Sequence, residues 1–306
     1  MYRCDALLYM LDLGTAIPHG RYPAYPAKHT PYPVFPNNNT RPPRWEWRQL
    51  PTTFTWEADE RALPRYTHAA AYFPGTESGG SSSPSGNAII IYGGLGDMGI
   101  PLDDLLVLKL DTMLWTRNED AAYGHRPSAR SGAVAATVRG GVVFIGGSTL
   151  SEATADVHFL AHTPQAKPPT RNRRMVRRTL SGTSVKPLVA AADTSVEWTW
   201  QEPTMHIMQC YHGPCAPRPR SMHAACTLPD TTSVLVFGGT DGHSLLADVH
   251  LLSTTRWSWD EPACSGEPPP PMRKHCLTLA PCARPDGEPM VSSPCVCVCV
   301  TVCVCE

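Results

Sequence analysis

The chain has 306 residues, a formal net charge of −1, 17% charged residues and 42% hydrophobic residues. That length holds one large or two ordinary domains with a real core, and the near-neutral balance excludes a global attraction to nucleic acid or to an anionic membrane surface. No run approaches the roughly 18 apolar residues of a membrane-spanning helix, and Asp5 among the first apolar residues makes a poor signal peptide. Twelve cysteines in a chain of this size read as reduced thiols in an intracellular protein, cytoplasmic in the first instance.

The N-terminal 50 residues read as a partial unit. Asp5 and Asp12 enclose an apolar run with the spacing of Asp104 and Asp111, so Ala6–Leu11 is predicted as a third strand and Trp45–Gln49 as a fourth. Between them lies a Pro-rich insert, residues 14–44, expected to be disordered; its Tyr22–Pro26 and Pro31–Pro43 segments suit a spacer or polyproline II. Asn38–Thr40 fits a glycosylation sequon but, with no export signal, is read as coincidence.

Three complete units follow, at 64–117, 127–202 and 216–261. Each has an apolar run that ends in a glycine pair: Ile89–Tyr92 before Gly93 and Gly94, Val142–Ile145 before Gly146 and Gly147, Val234–Phe237 before Gly238 and Gly239. Ten or eleven residues after the first glycine stands Asp104, Asp156 or Asp248, each opening a second apolar run. A tryptophan closes the unit: Trp115, then Trp198 or Trp200, then Trp257 or Trp259. Pro64, Pro127 and Pro219 stand four residues before His68, Ser131 and His223. Short runs of Val, Ile and Leu bounded by Gly, Pro and Asp are strands, and the glycine pair leaves its strand through left-handed backbone. One small four-stranded sheet cannot bury both its faces, so such units must stack on copies of themselves.

A further unit opens at 271–280 with Pro271, His275 and the run Cys276–Ala280, but its glycine pair, due near Met290, is missing. Residues 281–306 are read as a low-complexity tail outside the repeats. The alternation from Cys295 to Cys305 is what a GT dinucleotide repeat encodes, which suggests a fragment or a faulty gene model, although Val on one strand face and Cys on the other would also satisfy it.

These glycine pairs, Asp104, Asp156, Asp248 and the closing tryptophans resemble the Kelch-repeat β-propellers, over most of residues 64–260. The resemblance implies an all-β fold of four-stranded antiparallel blades, three complete and two partial, in a ring that need not close; the N-terminal strands would share a blade with the C-terminal ones. Turns between strands 1 and 2 and between 3 and 4 would emerge on one face, with the 75–86 insert, the Pro-rich stretch and a basic insert at 163–196. Turns 2–3 and 4–1 would form a ligand-binding mouth on the other.

The resemblance implies that arginines near the starts of first strands line this mouth, for a protein or peptide partner. Arg65, Arg130, Arg220 and Arg273 are the candidates; because their offsets from the repeat proline differ, one or two of them are expected in the mouth, and Arg130 is preferred. His68, His223 and His275 are expected to be structural hydrogen-bonding residues. The basic insert carries Arg173, Arg174, Arg177 and Arg178 among seven cations against one acid, a docking arm for an acidic partner or a nuclear-import signal. His206, Cys210, His212 and Cys215 are four zinc-type ligands in ten residues, at a spacing foreign to the usual modules. No G-x-S-x-G, H-E-x-x-H or phosphate loop is present, so no catalytic residue, cofactor or metal is assigned. A non-enzymatic interaction module is the favoured reading. The alternatives are a metal-dependent propeller enzyme resembling galactose oxidase or the iron-dependent specifier proteins, and a non-functional truncated product.

Overall fold

The computed structural model describes residues 9–12, 46–49, 51–55, 64–75, 86–118, 121–163, 197–206, 208–210, 213–264, 267–281 and 296–301. The chain divides into two units, Met1–Thr52 and Thr53–Glu306. In the first, β1 (Tyr9–Asp12) and β2 (Glu46–Gln49) pair antiparallel, with Tyr9 opposite Gln49 and Asp12 opposite Glu46. The Pro-rich insert between them lies outside the described residues.

The second unit is a succession of small sheets. Blade 1 comprises β3 (Thr53–Phe54), β4 (Ala69–Phe73), β5 (Ala88–Tyr92), β6 (Leu105–Lys109) and β7 (Leu114–Arg117). Blade 2 comprises β8 (Ala122–Tyr123), β9 (Val134–Val138), β10 (Gly141–Ser148), β11 (Ala153–His162) and β12 (Trp198–Gln201). A two-stranded hairpin, β13 (Gln209–Cys210) with β14 (Gly213–Pro214), precedes blade 3. Blade 3 is β15 (Ala224–Thr227), β16 (Ser233–Phe237), β17 (Val249–Ser253) and β18 (Ser258–Asp260). Last come β19 (Cys276–Pro281) and β20 (Val296–Thr301), antiparallel, with Cys276 opposite Thr301. Part of the stretch read as a tail is thus the partner strand of the fourth inner strand. A 3-10 turn spans Asp97–Gly99, and among the described residues no helix is long and apolar enough to cross a membrane.

Each full blade runs antiparallel from an inner strand (β4, β9, β15) to an outer one (β7, β12, β18). Blades 1 and 2 carry a fifth strand that the repeat pattern does not predict: β3 lies parallel to β7, and β8 parallel to β12. In blade 3 the same place is held by one parallel bridge between His206 and Ser258. The chain therefore lies along the outer edge of each blade before it reaches that blade's inner strand.

Alternation along the strands loads both faces, and the seams between blades are the core. Ile90, Tyr92 and Val107 of blade 1 meet Val142, Phe144, Leu160, Trp198 and Trp200 of blade 2. Tyr92, Phe144 and Trp200 form a triangle of rings with centroids 5.2–5.6 Å apart. The Tyr92 hydroxyl donates to the Pro127 carbonyl across that seam. Val143, Ile145 and Val157 meet Val234, Val236, Leu252 and Trp259 in the next. Fully burying one such side chain is worth about 1.5–3 kcal/mol, so the seams hold most of the fold's hydrophobic stabilisation. Trp115, Trp200 and Trp259 stand opposite Leu108, Leu160 and Leu252 in matching register. The closing tryptophan of blade 3 is thus Trp259; Trp257 lies in the preceding turn, with φ 51°, and packs on Phe159.

Candidate functional site

Counting back from the inner strands exposes a four-residue frame that counting forward from proline hides. Four residues before β4, β9, β15 and β19 stand Arg65, Arg130, Arg220 and Met272. Next come Tyr66, Ser131, Ser221 and Arg273; then Thr67, Gly132, Met222 and Lys274; then His68, Ala133, His223 and His275. Residues of the third set all have left-handed backbone, with φ of 53°, 63°, 55° and 58°. Their amides form a ladder from blade to blade: Gly132 donates to the Thr67 carbonyl (2.8 Å), Met222 to Gly132 (2.7 Å), and Lys274 to Met222 (2.9 Å).

The first set does the same job in three blades. Arg65 forks onto Asp104 at 2.6 and 2.8 Å, Arg130 onto Asp156 at 2.6 and 2.8 Å, and Arg220 onto Asp248 at 2.7 and 2.7 Å. One nitrogen of each also donates to the carbonyl of the first glycine in the pair, Gly93, Gly146 or Gly238. Such bidentate charged pairs are strong and geometrically specific. The Arg130 and Arg220 side chains are buried, with 2% and 1% exposure. Their guanidiniums and hydrogen bonds hold Asp156 and Asp248 well below the usual carboxylate range, against the opposing effect of burial. His158 and His250 each add a ring nitrogen 2.9 Å from those same carboxylates.

The expected ring of arginines over the mouth is therefore replaced by clamps that tie each glycine corner to the start of its third strand. The preferred candidate, Arg130, has its donors taken up by Asp156, Gly146, Thr154 and Ser128. Arg273 differs. It stands one position further on, in the set of Tyr66, Ser131 and Ser221, is exposed, and has no polar partner among the described residues. Met272 fills the clamp position instead, accepting the Gly239 amide through its carbonyl at 2.8 Å, as Arg130 and Arg220 do for Gly94 and Gly147.

Tyr66, Ser131 and Ser221 bridge to Leu95, Ser148 and Thr240, which puts this set at the end of each blade where the 2–3 loops emerge. Tyr66 and Lys274 are exposed there, and the loops present Met98 (93% exposed), Leu150 (81%) and Leu245 (47%). These apolar tips carry no repeat signal and were legible only once the loop ends were known.

His223 and His275 are buried, and neither ring nitrogen of either has a hydrogen-bond partner among the described residues. They are space-filling wedges rather than the expected hydrogen-bonding residues. Burial, with Arg220 nearby, pushes His223 down to about 3. His68 is exposed, and Ala133, not Ser131, holds the equivalent place in blade 2.

Of the four zinc-type residues, His206 is exposed, and His212 and the Cys210 side chain lie outside the described residues. Cys215 is buried and disulfide-bonded, which corrects the all-reduced expectation and removes its sulfur as a thiolate ligand. Among the described residues no cluster of His, Cys, Asp or Glu could hold a metal ion.

Arg173, Arg174, Arg177 and Arg178 lie outside the described residues, as does most of the Gly/Ser insert. The roots of these two inserts adjoin. Phe73, His162 and Trp198 pack with ring centroids 4.8–5.0 Å apart, and a side chain on Gly86 would meet the His162 ring at 3.4 Å.

Residues 192–282, from the end of blade 2 through blade 3 to β19, match the KLHDC2/KLHL20/DRC7 Kelch-repeats domain. Residues 192–282 thus carry a Kelch-repeat match. It is also similar to dynein regulatory complex subunit 7 of Chlamydomonas reinhardtii, 34% identical over 80 residues. That stretch is 25% of this chain and spans only 7% of the relative's length. Blades 1 and 2 repeat the clamp and the glycine corner of the matched Kelch segment, residue for residue.

Proposed function

We propose that this Kelch chain is a non-enzymatic scaffold that docks a protein or peptide segment on its mouth face, in the cytoplasm. A Kelch-based interaction role in general has the support of the family match, and the relative's name sets that protein in a dynein regulatory complex. The observation that carries the finer reading is Arg273: the one arginine of the four left outside a clamp, exposed at the register of Tyr66 and beside Lys274. A free guanidinium next to an ammonium, with apolar loop tips around, suits a segment that combines a carboxylate with apolar side chains. The basic insert would give a second contact, to an acidic partner.

Capture from cytoplasm, quantified by mass spectrometry, compares the wild-type chain with Arg273→Glu/Lys274→Glu and with a chain whose residues 164–196 are replaced by a Gly/Ser linker. A bound protein lost by about tenfold with the charge reversal supports the mouth, since breaking a charge-assisted contact is worth about that much. Capture unchanged in both variants overturns the reading.

A further inference from the structure

The stretch that leads into β19 is joined to blade 3 by three backbone hydrogen bonds. Gly239 donates to the Met272 carbonyl at 2.8 Å, Met272 to Leu246 at 3.1 Å, and Lys274 to Met222 at 2.9 Å. In blades 1 to 3 the same stretch carries an arginine forked onto an aspartate. Here Met272 takes that place, and no ion pair among the described residues backs the three bonds. An imidazole wedges the joint instead. His275 is buried, its ring meets Phe237 edge-on at 5.3 Å, and its Cε1 stands 3.0 Å from where a Cβ on Gly238 would begin.

We propose that this joint is acid-labile: a proton taken up by His275 frees residues 272–275 from blade 3, and with them the start of the fourth inner strand. A neutral imidazole is tolerated between a phenyl ring and a glycine corner. An imidazolium there would bring a charge and two N–H donors into a place where neither ring nitrogen has a partner among the described residues. Burial already pushes the ring below its usual value, and the nearby Phe237 carbonyl offsets this only in part. In the released stretch the ring reaches water and takes its proton at the ordinary value of about 6.5. Acid therefore favours the open form by linkage.

The groups around the ring supply no spare anion. From blade 3, Arg220 donates to the Gly238 carbonyl and is forked onto Asp248. His223 is a second buried imidazole, which His275 helps to lower. Phe237 and Leu246 are apolar. On its own stretch Arg273, Lys274 and Cys276 are exposed, and β20 places Thr301 opposite Cys276. The joint between blades 1 and 2 is the internal contrast. There Gly94 donates to Arg130 at 2.9 Å and Gly132 to Thr67 at 2.8 Å, but Ala133 stands where His275 stands here. Arg273 and Lys274 travel with the released stretch, so acid would also unseat a partner they hold; that consequence rests on the proposed function, whereas the joint does not.

The test is residue-resolved amide exchange on the full chain, corrected for the intrinsic effect of pH. Gly239, Met272 and Lys274, whose amides cross the joint, should quicken about tenfold from pH 7.5 to pH 5.5, the change in proton uptake by a freed imidazole. Gly94 and Gly132 should keep their protection. His275→Phe should abolish the response of the first three, while His223→Phe should leave it in place. Should His275→Phe fail to fold, titration of the His275 Cε1 proton signal in the wild type decides together with the wild-type exchange. Protection of the three amides that does not change with pH, an equal change at Gly94 and Gly132, or a His275 that titrates at or above about 6.5 overturns the proposal.

Discussion

The imidazole of His223 stands against Gly146 of the preceding blade: its Cε1 lies 3.1 Å from the point where a Cβ on that glycine would begin, and the Arg220 carbonyl lies 2.7 Å from it. His275 meets Gly238 in the same way, at 3.0 Å. The glycine corner of one blade and the histidine of the next form a single joint.

Gly146→Ala should therefore cost about 3 kcal/mol or more, a left-handed φ of +59° plus an overlap with backbone that cannot move alone. Gly140→Ala, also left-handed but facing open space, should cost only about 1 kcal/mol. Urea midpoints of the two variants give the comparison. Equal losses would mean that the joint tolerates a methyl group.

Asp156→Ala leaves the buried guanidinium of Arg130 without its anion. The expected loss is about 3 kcal/mol, the low end for a broken buried pair, because the carboxylate is 36% exposed. Replacing both partners by apolar residues should recover part of it, and a double-mutant cycle by thermal or urea melts reads the coupling.

Acid should weaken the fold in two stages. His223 is held neutral, its folded value about 3 against about 6.5 when unfolded, so its contribution is complete above the unfolded value and falls as pH drops below it. The slope is about 1.4 kcal/mol per pH unit until the folded value is reached. Asp156 and Asp248 are depressed carboxylates, whose contribution is present above about pH 4 and lost below it. Stability measured from pH 7.5 to 5 should thus slope in the wild type and slope less steeply in His223→Leu, relative to each protein's value at pH 7.5, because burial also lowers His68, His162 and His275 and they keep part of the slope.

Burial pushes the Cys226 thiol up to about 11, while Cys264 is exposed. At neutral pH the thiolate fraction of Cys226 is roughly 300-fold below that of an ordinary thiol. Iodoacetamide followed by peptide mapping should label Cys264 long before Cys226, and equal rates would refute the burial.

The parts of this fold that were legible beforehand are those that one residue type must fill. Only glycine suits corners such as Gly146, and an aspartate must start each third strand because an arginine forks onto it. The clamp position of the arginines is hidden because Arg65 and Arg220 stand one residue after the repeat proline but Arg130 stands three after it, though each is four residues before its inner strand. Proline marks a loop whose length varies; the left-handed residue before the strand is the fixed point. Thr67, Met222 and Lys274 hid that point, since none of them is glycine. The extra parallel strands left no pattern because two residues, Thr53–Phe54 or Ala122–Tyr123, are too short for one, and their place is set by the neighbouring sheet.

The way the linkers run also decides where the molecule is vulnerable. Thr53–Phe54 seals the rim of β7 and Ala122–Tyr123 that of β12, but β18 is touched at His206 alone among the described residues. Ser258 and Trp259 are nonetheless buried, at 1% and 4% exposure, so side-chain packing closes the rim that no parallel strand covers. That edge is kept from pairing with a foreign strand by packing alone, and a substitution that loosened the packing around Trp259 would bare it.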